Sequence, residues 1–122
     1  SDMIKTGGAN VSPVEIEVAL SDCPGLRAGL AVGIPHPSLG EVVILCALPI
    51  RSAALDAEAI RSYLRERLSA YKVPKHVLFF EEDEIAFTGN QKIQVGPLRE
   101  EVLRRLRAGR TVIDGYAYDN GE

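Results

Sequence analysis

Hydrophobic and polar positions along the chain fall into blocks of different period. Val11-Ser12-Pro13-Val14-Glu15-Ile16 sets a small hydroxyl before a proline and a glutamate three residues on, which marks a helix start capped by Ser12. Val11 and Ile16 stand where a hydrophobic staple would close, and Val14, Val18 and Ala19 carry the apolar face toward Leu20. Pro24 stops that helix after Ser21-Asp22-Cys23, because it lacks an amide hydrogen and restricts the residue before it. Two β-type runs follow, Leu30 to Ile34 and Glu41 to Leu48, and the turn-rich Pro35-His36-Pro37-Ser38-Leu39-Gly40 between them predicts a hairpin. The second run is apolar almost without break, which predicts a central strand covered on both faces. From Asp56 to Leu68 the period becomes helical, with Ile60, Leu64 and Leu68 on one face and Glu58, Arg61, Arg65 and Glu66 on the other. His76-Val77-Leu78-Phe79-Phe80 predicts a third strand, closed by the acidic, solvated turn Glu81-Glu82-Asp83-Glu84. Pro97 opens a last helix with Leu98, Val102 and Leu106 in line. The sum is an α+β fold, a small three-stranded, mostly antiparallel sheet flanked by helices.

Composition narrows the functional classes. The 122 residues carry 14 Lys and Arg against 17 Asp and Glu, a net charge of −3, and no block of basic residues that would capture nucleic acid or an anionic membrane. No apolar run approaches the ~18 residues of a membrane span. The two cysteines, Cys23 and Cys46, fit a reducing compartment, with Cys46 inside an apolar run where a thiol acts as a small hydrophobe. The expected location is cytoplasmic. Length and the lack of internal repeats or a Gly/Ser/Pro-rich linker point to one compact domain over residues 1–109 and a tail of uncertain order over 110–122.

Two polar segments stand apart from any core pattern: Asp2-Met3-Ile4-Lys5-Thr6-Gly7-Gly8-Ala9-Asn10 and Thr88-Gly89-Asn90-Gln91-Lys92-Ile93-Gln94. Each sets a lysine beside glycine. Glycine lets backbone approach a ligand closely and lysine is a movable point charge, so the residues suggest contributions to an anionic substrate, with plain turn structure as the competing reading. The sequence has no G-x-x-x-x-G-K-[ST] loop, no G-x-G-x-x-G turn between strand and helix, no G-x-S-x-G and no H-E-x-x-H, so it holds no nucleotide and runs no catalysis by those familiar devices. The spacing of His36, His76 and the two cysteines matches no zinc pattern, and no metal site is expected.

Taken together, these segments resemble the C-terminal domain of the adenylate-forming acyl-CoA synthetase superfamily, from Asp2 to about Leu106. The stretch from Asp2 through Ile16-Glu17 is similar to the motif that opens this domain after the interdomain hinge, which the resemblance puts at Ser1 or upstream, with Asp2 adjacent to it. Val32-Gly33-Ile34-Pro35-His36-Pro37 with Gly40-Glu41 resembles the family's central hairpin, and Leu68-Ser69-Ala70-Tyr71-Lys72-Val73-Pro74-Lys75 the entry to its third strand. Thr88 to Gln94 takes the place of the closing T-x-[ST]-G-K-I motif, with Gln91 where glycine usually precedes the lysine and Val95 where a basic residue is common.

The resemblance implies a lid that adopts two orientations over an N-terminal adenylation domain holding ATP, Mg²⁺ and the carboxylic acid. In the first half-reaction Lys92 would reach the α-phosphate and the acyl carboxylate. In the second, the Lys5–Asn10 loop would replace it, with Gly7 and Gly8 lining the passage for the pantetheine arm of CoA, Asn10 beside them and Lys5 on the adenylate phosphate. The form of the opening motif tilts the acceptor toward CoA, and the lid alone would be inactive. The alternative is a stand-alone, non-catalytic regulatory or docking module of the same fold, with which Gln91 and Val95 are compatible.

Overall fold

The computed structural model describes residues 3–51, 53–85 and 94–119. The chain opens with two short strands, β1 (Ile4–Thr6) and β2 (Ala9–Val11), and enters helix α1 (Pro13–Ala19). Ser12 caps α1 as its sequence predicts, its Oγ accepting from the Glu15 N–H at 3.3 Å, and the staple pair Val11 and Ile16 is wholly buried. The long hairpin β3 (Leu26–His36) and β4 (Gly40–Pro49) follows, then α2 (Ala57–Arg65), β5 (His76–Phe79), α3 (Val95–Ala108) and a small hairpin, β6 (Val112–Ile113) and β7 (Tyr116–Ala117).

The fold is α+β, and the sheet has five strands where three were expected. The central hairpin and the His76 strand are the three expected members; the added pair is β1 and β2, inside a segment that composition alone marks as loop. Strand β4 carries antiparallel β3 along one edge, and along the other β1, paired at Thr6 with Gly40, and then parallel β5 from Ile44–His76 to Ala47–Phe79. A second sheet is the β6–β7 ribbon, which gives order to residues that the sequence reading leaves as a tail.

Burial on both faces of β4 accounts for its unbroken apolar sequence. Val43, Leu45 and Ala47 point to a core shared with Ile16, Leu20, Ile60 and Leu64 of α1 and α2. Val42, Ile44, Cys46 and Leu48 point the other way, to Leu98, Val102 and Leu106 of α3 and to Ile113 and Tyr118 of the C-terminal hairpin. The period-two alternation of the strand is therefore present, but both sides are apolar because both are covered. On the outer edge of β3 a side chain satisfies one backbone group, Glu17 Oε2 accepting from the Ala31 N–H at 3.2 Å. Burial pushes the Glu17 carboxyl above its ordinary value, and that hydrogen bond partly offsets the push. No helix among the described residues is long and apolar enough to cross a membrane.

Candidate functional site: the amino-terminal hairpin and its seat

The opening segment is a tight β-hairpin rather than a loop. Ile4 pairs with Val11, Lys5 with Asn10 and Thr6 with Ala9, so Gly7 and Gly8 form a two-residue turn. Both glycines have positive φ, +58° and +83°, as a turn matching the twist of its strands requires. Their identity is thus explained by backbone geometry before any ligand is invoked. A Cβ on Gly8 would meet no atom within 4 Å, so the tip of the turn is open.

Alternation along the hairpin separates its two tasks. Ile4 and Val11 face the core and anchor it, while Lys5 and Asn10, directly across from each other, are exposed on the opposite face. The Lys5 backbone is fixed as well, its N–H donating to Glu41 Oε1 at 3.0 Å, and the other carboxylate oxygen of Glu41 lies 3.5 Å from the Arg99 guanidinium. Gly7 donates its N–H to the Leu39 carbonyl at 2.9 Å, tying the turn to the connection between β3 and β4. Gly33 leaves the space in which this seat is built, since a Cβ there would lie 2.9 Å from Ile4 Cγ2 and 3.0 Å from Glu41 Oε2.

Charge pairing distinguishes Lys5 from its counterparts. Lys72 Nζ sits 3.0 Å from the Glu15 carboxylate and Lys75 Nζ 3.1 Å from that of Asp114, whereas Lys5 Nζ has no ion-pair partner among the described residues. A fixed backbone carrying an exposed ammonium beside an open, side-chain-free turn is suited to meeting an anionic group brought from outside the chain. Lys5, Gly7, Gly8 and Asn10 are therefore brought together on one element. Lys92 and the rest of Thr88–Ile93, like Asp2, lie outside the described residues; Gln94 immediately precedes α3 without a side-chain capping bond, and the helix begins two residues ahead of Pro97.

Sequence reasoning missed the supporting residues, Glu41, Leu39 and Gly33, because each belongs to a strand or turn whose role appears only when β1 is laid beside β4. The signal for the hairpin itself was present, a Gly-Gly pair between Ile-Lys-Thr and Ala-Asn-Val. Beside the hairpin root, Met3, Pro13, Val14, Leu30, Val95 and Leu98 line a largely apolar groove of about 490 Å³. Among the described residues no three His, Cys, Asp or Glu side chains converge on a point that could hold a metal ion.

The profile of the AMP-binding enzyme C-terminal domain matches residues 15–92. The chain belongs to that family. This AMP-binding C-terminal domain is 40% identical over 105 residues to a feruloyl-CoA synthase of an Amycolatopsis species, covering 86% of this chain and 20% of the relative. Among solved structures it is similar to the Mycobacterium tuberculosis fatty acyl CoA synthetase, with a TM-score of 0.75 and 34% identity over 82% of this chain and 19% of that one. It is also similar to the amide bond synthetase McbA from Marinactinospora thermotolerans, with a TM-score of 0.76 and 30% identity over 83% of this chain and 20% of that one. The chain thus spans about a fifth of the length of the relatives it matches.

Proposed function

We propose that this AMP-binding C-terminal domain is the lid of an ATP-dependent acid–CoA ligase of the cytoplasm. The enzyme joins a fatty or aryl carboxylic acid to AMP with release of pyrophosphate, then passes the acyl group to the thiol of CoA. The N-terminal adenylation domain supplies the sites for ATP, Mg²⁺ and the acid, so the lid by itself does not turn over substrate. The observation that carries the reading is the pairing of Lys5, exposed and without an ion-pair partner among the described residues, with a Gly7–Gly8 turn that is open at its tip.

In the thioester step the acyl carbonyl is attacked by the thiol and AMP departs carrying the electrons of the broken C–O bond. An ammonium at the adenylate phosphate stabilises the charge that develops there, an electrostatic contribution rather than a proton transfer. Lys5 takes that part. Asn10, across the strand pair from it, offers a neutral donor to the same region, and the glycine turn presents backbone without side chains to the narrow pantetheine arm. Lys92 takes the corresponding part in the first step, on the α-phosphate and the acid's carboxylate. The CoA-ligase relative at 40% identity supports CoA as acceptor; the similarity to an amide bond synthetase makes an amine the competing acceptor. The burial of Cys23 and Cys46 as free thiols supports a reducing compartment.

The test separates the half-reactions in the complete enzyme. Lys92→Ala should lower acid-dependent ATP–pyrophosphate exchange on the order of a hundredfold. Lys5→Ala should leave that exchange within about twofold and slow CoA thioester formation from preformed acyl adenylate by roughly tenfold or more. Thioester formation unchanged by Lys5→Ala overturns the assignment of the hairpin. A native polypeptide of the size of this chain, inert with every acid, would instead favour the docking-module reading.

A further inference from the structure

His36 is the one buried histidine, acidic, basic or amide side chain among the described residues, 4% exposed, and it sits where three segments meet. Its Nδ1 lies 3.2 Å from the Ser38 amide nitrogen and 3.3 Å from that of Leu39. Backbone N–H groups only donate, so Nδ1 accepts and the ring proton resides on Nε2, which donates to the Ile113 carbonyl at 2.9 Å. Through Nδ1 the imidazole fixes the peptide groups of the β3–β4 turn, and the carbonyl of that same Leu39 accepts from Gly7. Through Nε2 it is held by the C-terminal hairpin.

That hairpin is itself secured at both ends. The Tyr118 hydroxyl donates to the Pro35 carbonyl at 2.7 Å, and the Asp114 carboxylate pairs with Lys75 at the entry to β5. The rings of Tyr116 and Tyr118 meet the imidazole edge-on at centroid distances of 5.7 and 6.4 Å. A continuous path of hydrogen bonds therefore runs from the carboxyl-terminal hairpin through His36 and Leu39 to the Gly7–Gly8 turn.

We propose that His36 is a positioning residue for the Gly7–Gly8 turn, and that the β6–β7 hairpin acts through it to hold that turn in register for the second half-reaction. The catalytic consequence rests on the role proposed above for the Lys5–Asn10 hairpin; the structural consequence does not. Without an acceptor at the Nδ1 position, the Ser38 and Leu39 amides lose their partner inside the turn, Leu39 is held less tightly about its Cα, and the Leu39 carbonyl that accepts from Gly7 is less well fixed.

Two substitutions separate this role from ordinary core packing. His36→Leu removes both ring nitrogens, whereas His36→Asn keeps a short acceptor where Nδ1 stood, as asparagine does in turns of this kind. In the 122-residue chain, His36→Leu should speed hydrogen exchange at the Gly7 amide by about tenfold relative to the Leu45 amide of β4, and His36→Asn should keep it close to the parent rate. Tyr118→Phe, which loses only the bond to Pro35, is the milder variant should His36→Leu not fold, with an expected rise of about threefold. In the complete enzyme, His36→Leu should slow thioester formation about tenfold with pyrophosphate exchange unchanged, and His36→Asn should restore it. Gly7 exchange that does not respond, or responds equally to Asn and Leu, overturns the inference whatever the rates. Gly7 exchange that responds while neither half-reaction does leaves the positioning in place and overturns the function assigned to the hairpin.

Discussion

Gly33 and Ile4 occupy what would be one volume if Gly33 carried a side chain: a Cβ there would stand 2.9 Å from Ile4 Cγ2. Ile4 is the inward anchor of β1, so the absence of a methyl group on β3 is what lets the amino-terminal hairpin lie down on the sheet. The same Cβ would press on the Glu41 carboxylate, which holds the Lys5 backbone. Gly33→Ala should lower unfolding free energy by about 1–3 kcal/mol, the usual cost of overpacking, measured by urea titration. A stability equal to that of the parent would mean that β1 yields without cost and that its seat is not built as described.

The Gly8 position makes the opposite prediction about packing. No atom stands within 4 Å of a Cβ there, but φ is +83°, so Gly8→Ala should cost about 1 kcal/mol through backbone strain alone. Gly8→Trp adds bulk at the open tip. In the complete enzyme it should spare adenylation and suppress thioester formation; a second step at the parent rate would remove the turn from the path of CoA.

Helix α3 ends in a Schellman motif that lacks its usual residue. The Arg110 N–H donates to the Arg107 carbonyl at 3.1 Å and that of Thr111 to the Leu106 carbonyl at 2.9 Å, with Arg110 at φ +49°. Glycine stands one position too early, at Gly109, where φ is ordinary. Arg110→Gly should therefore stabilise the chain by about 0.5–1 kcal/mol, seen as a higher urea midpoint at unchanged slope. A lower midpoint would show that the Arg110 side chain contributes more than its backbone costs.

These positions also show where the sequence was legible. Helix α1 could be read from Ser12, Pro13 and Val11 alone, because capping and staple contacts are local, and β4 could be read as central because an unbroken apolar run has few other uses. The strands that escaped notice are those with two or three residues, β1, β2, β6 and β7, too short to show a period. Their turn pairs, Gly7-Gly8 and Asp114-Gly115, carried the information instead. Lys5, Gly7, Gly8 and Asn10 were legible as a group because they are contiguous. Glu41, Leu39 and His36 were not, since their link to the hairpin runs through contacts between residues some thirty or more apart in sequence, and the resemblance to a family supplied roles but no such contacts.

Glu101 fixes α3 to its own next turn and, through Arg105, to β5. Its carboxylate accepts from Arg105 Nε at 2.8 Å and from Arg104 at 2.9 Å, and Arg105 goes on to bind Glu84 at 3.0 Å and the Phe79 carbonyl at 2.9 Å. The hydrogen bonds from Arg104 and Arg105 hold the Glu101 carboxyl down, at about 2 against an ordinary 4.5. Because the folded state binds its proton less readily than the unfolded chain, the pair stabilises fully above about pH 4.5, and the contribution drains away as pH falls toward about 2. Solvent screening at this partly exposed cluster holds the effect to about 1 kcal/mol. Glu101→Gln should accordingly be less stable than the parent by about that amount at pH 7, with the two urea midpoints converging as the pH approaches 2. A gap that persists undiminished at the acid end would mean that Glu101 acts through its shape and neutral hydrogen bonds rather than through its charge.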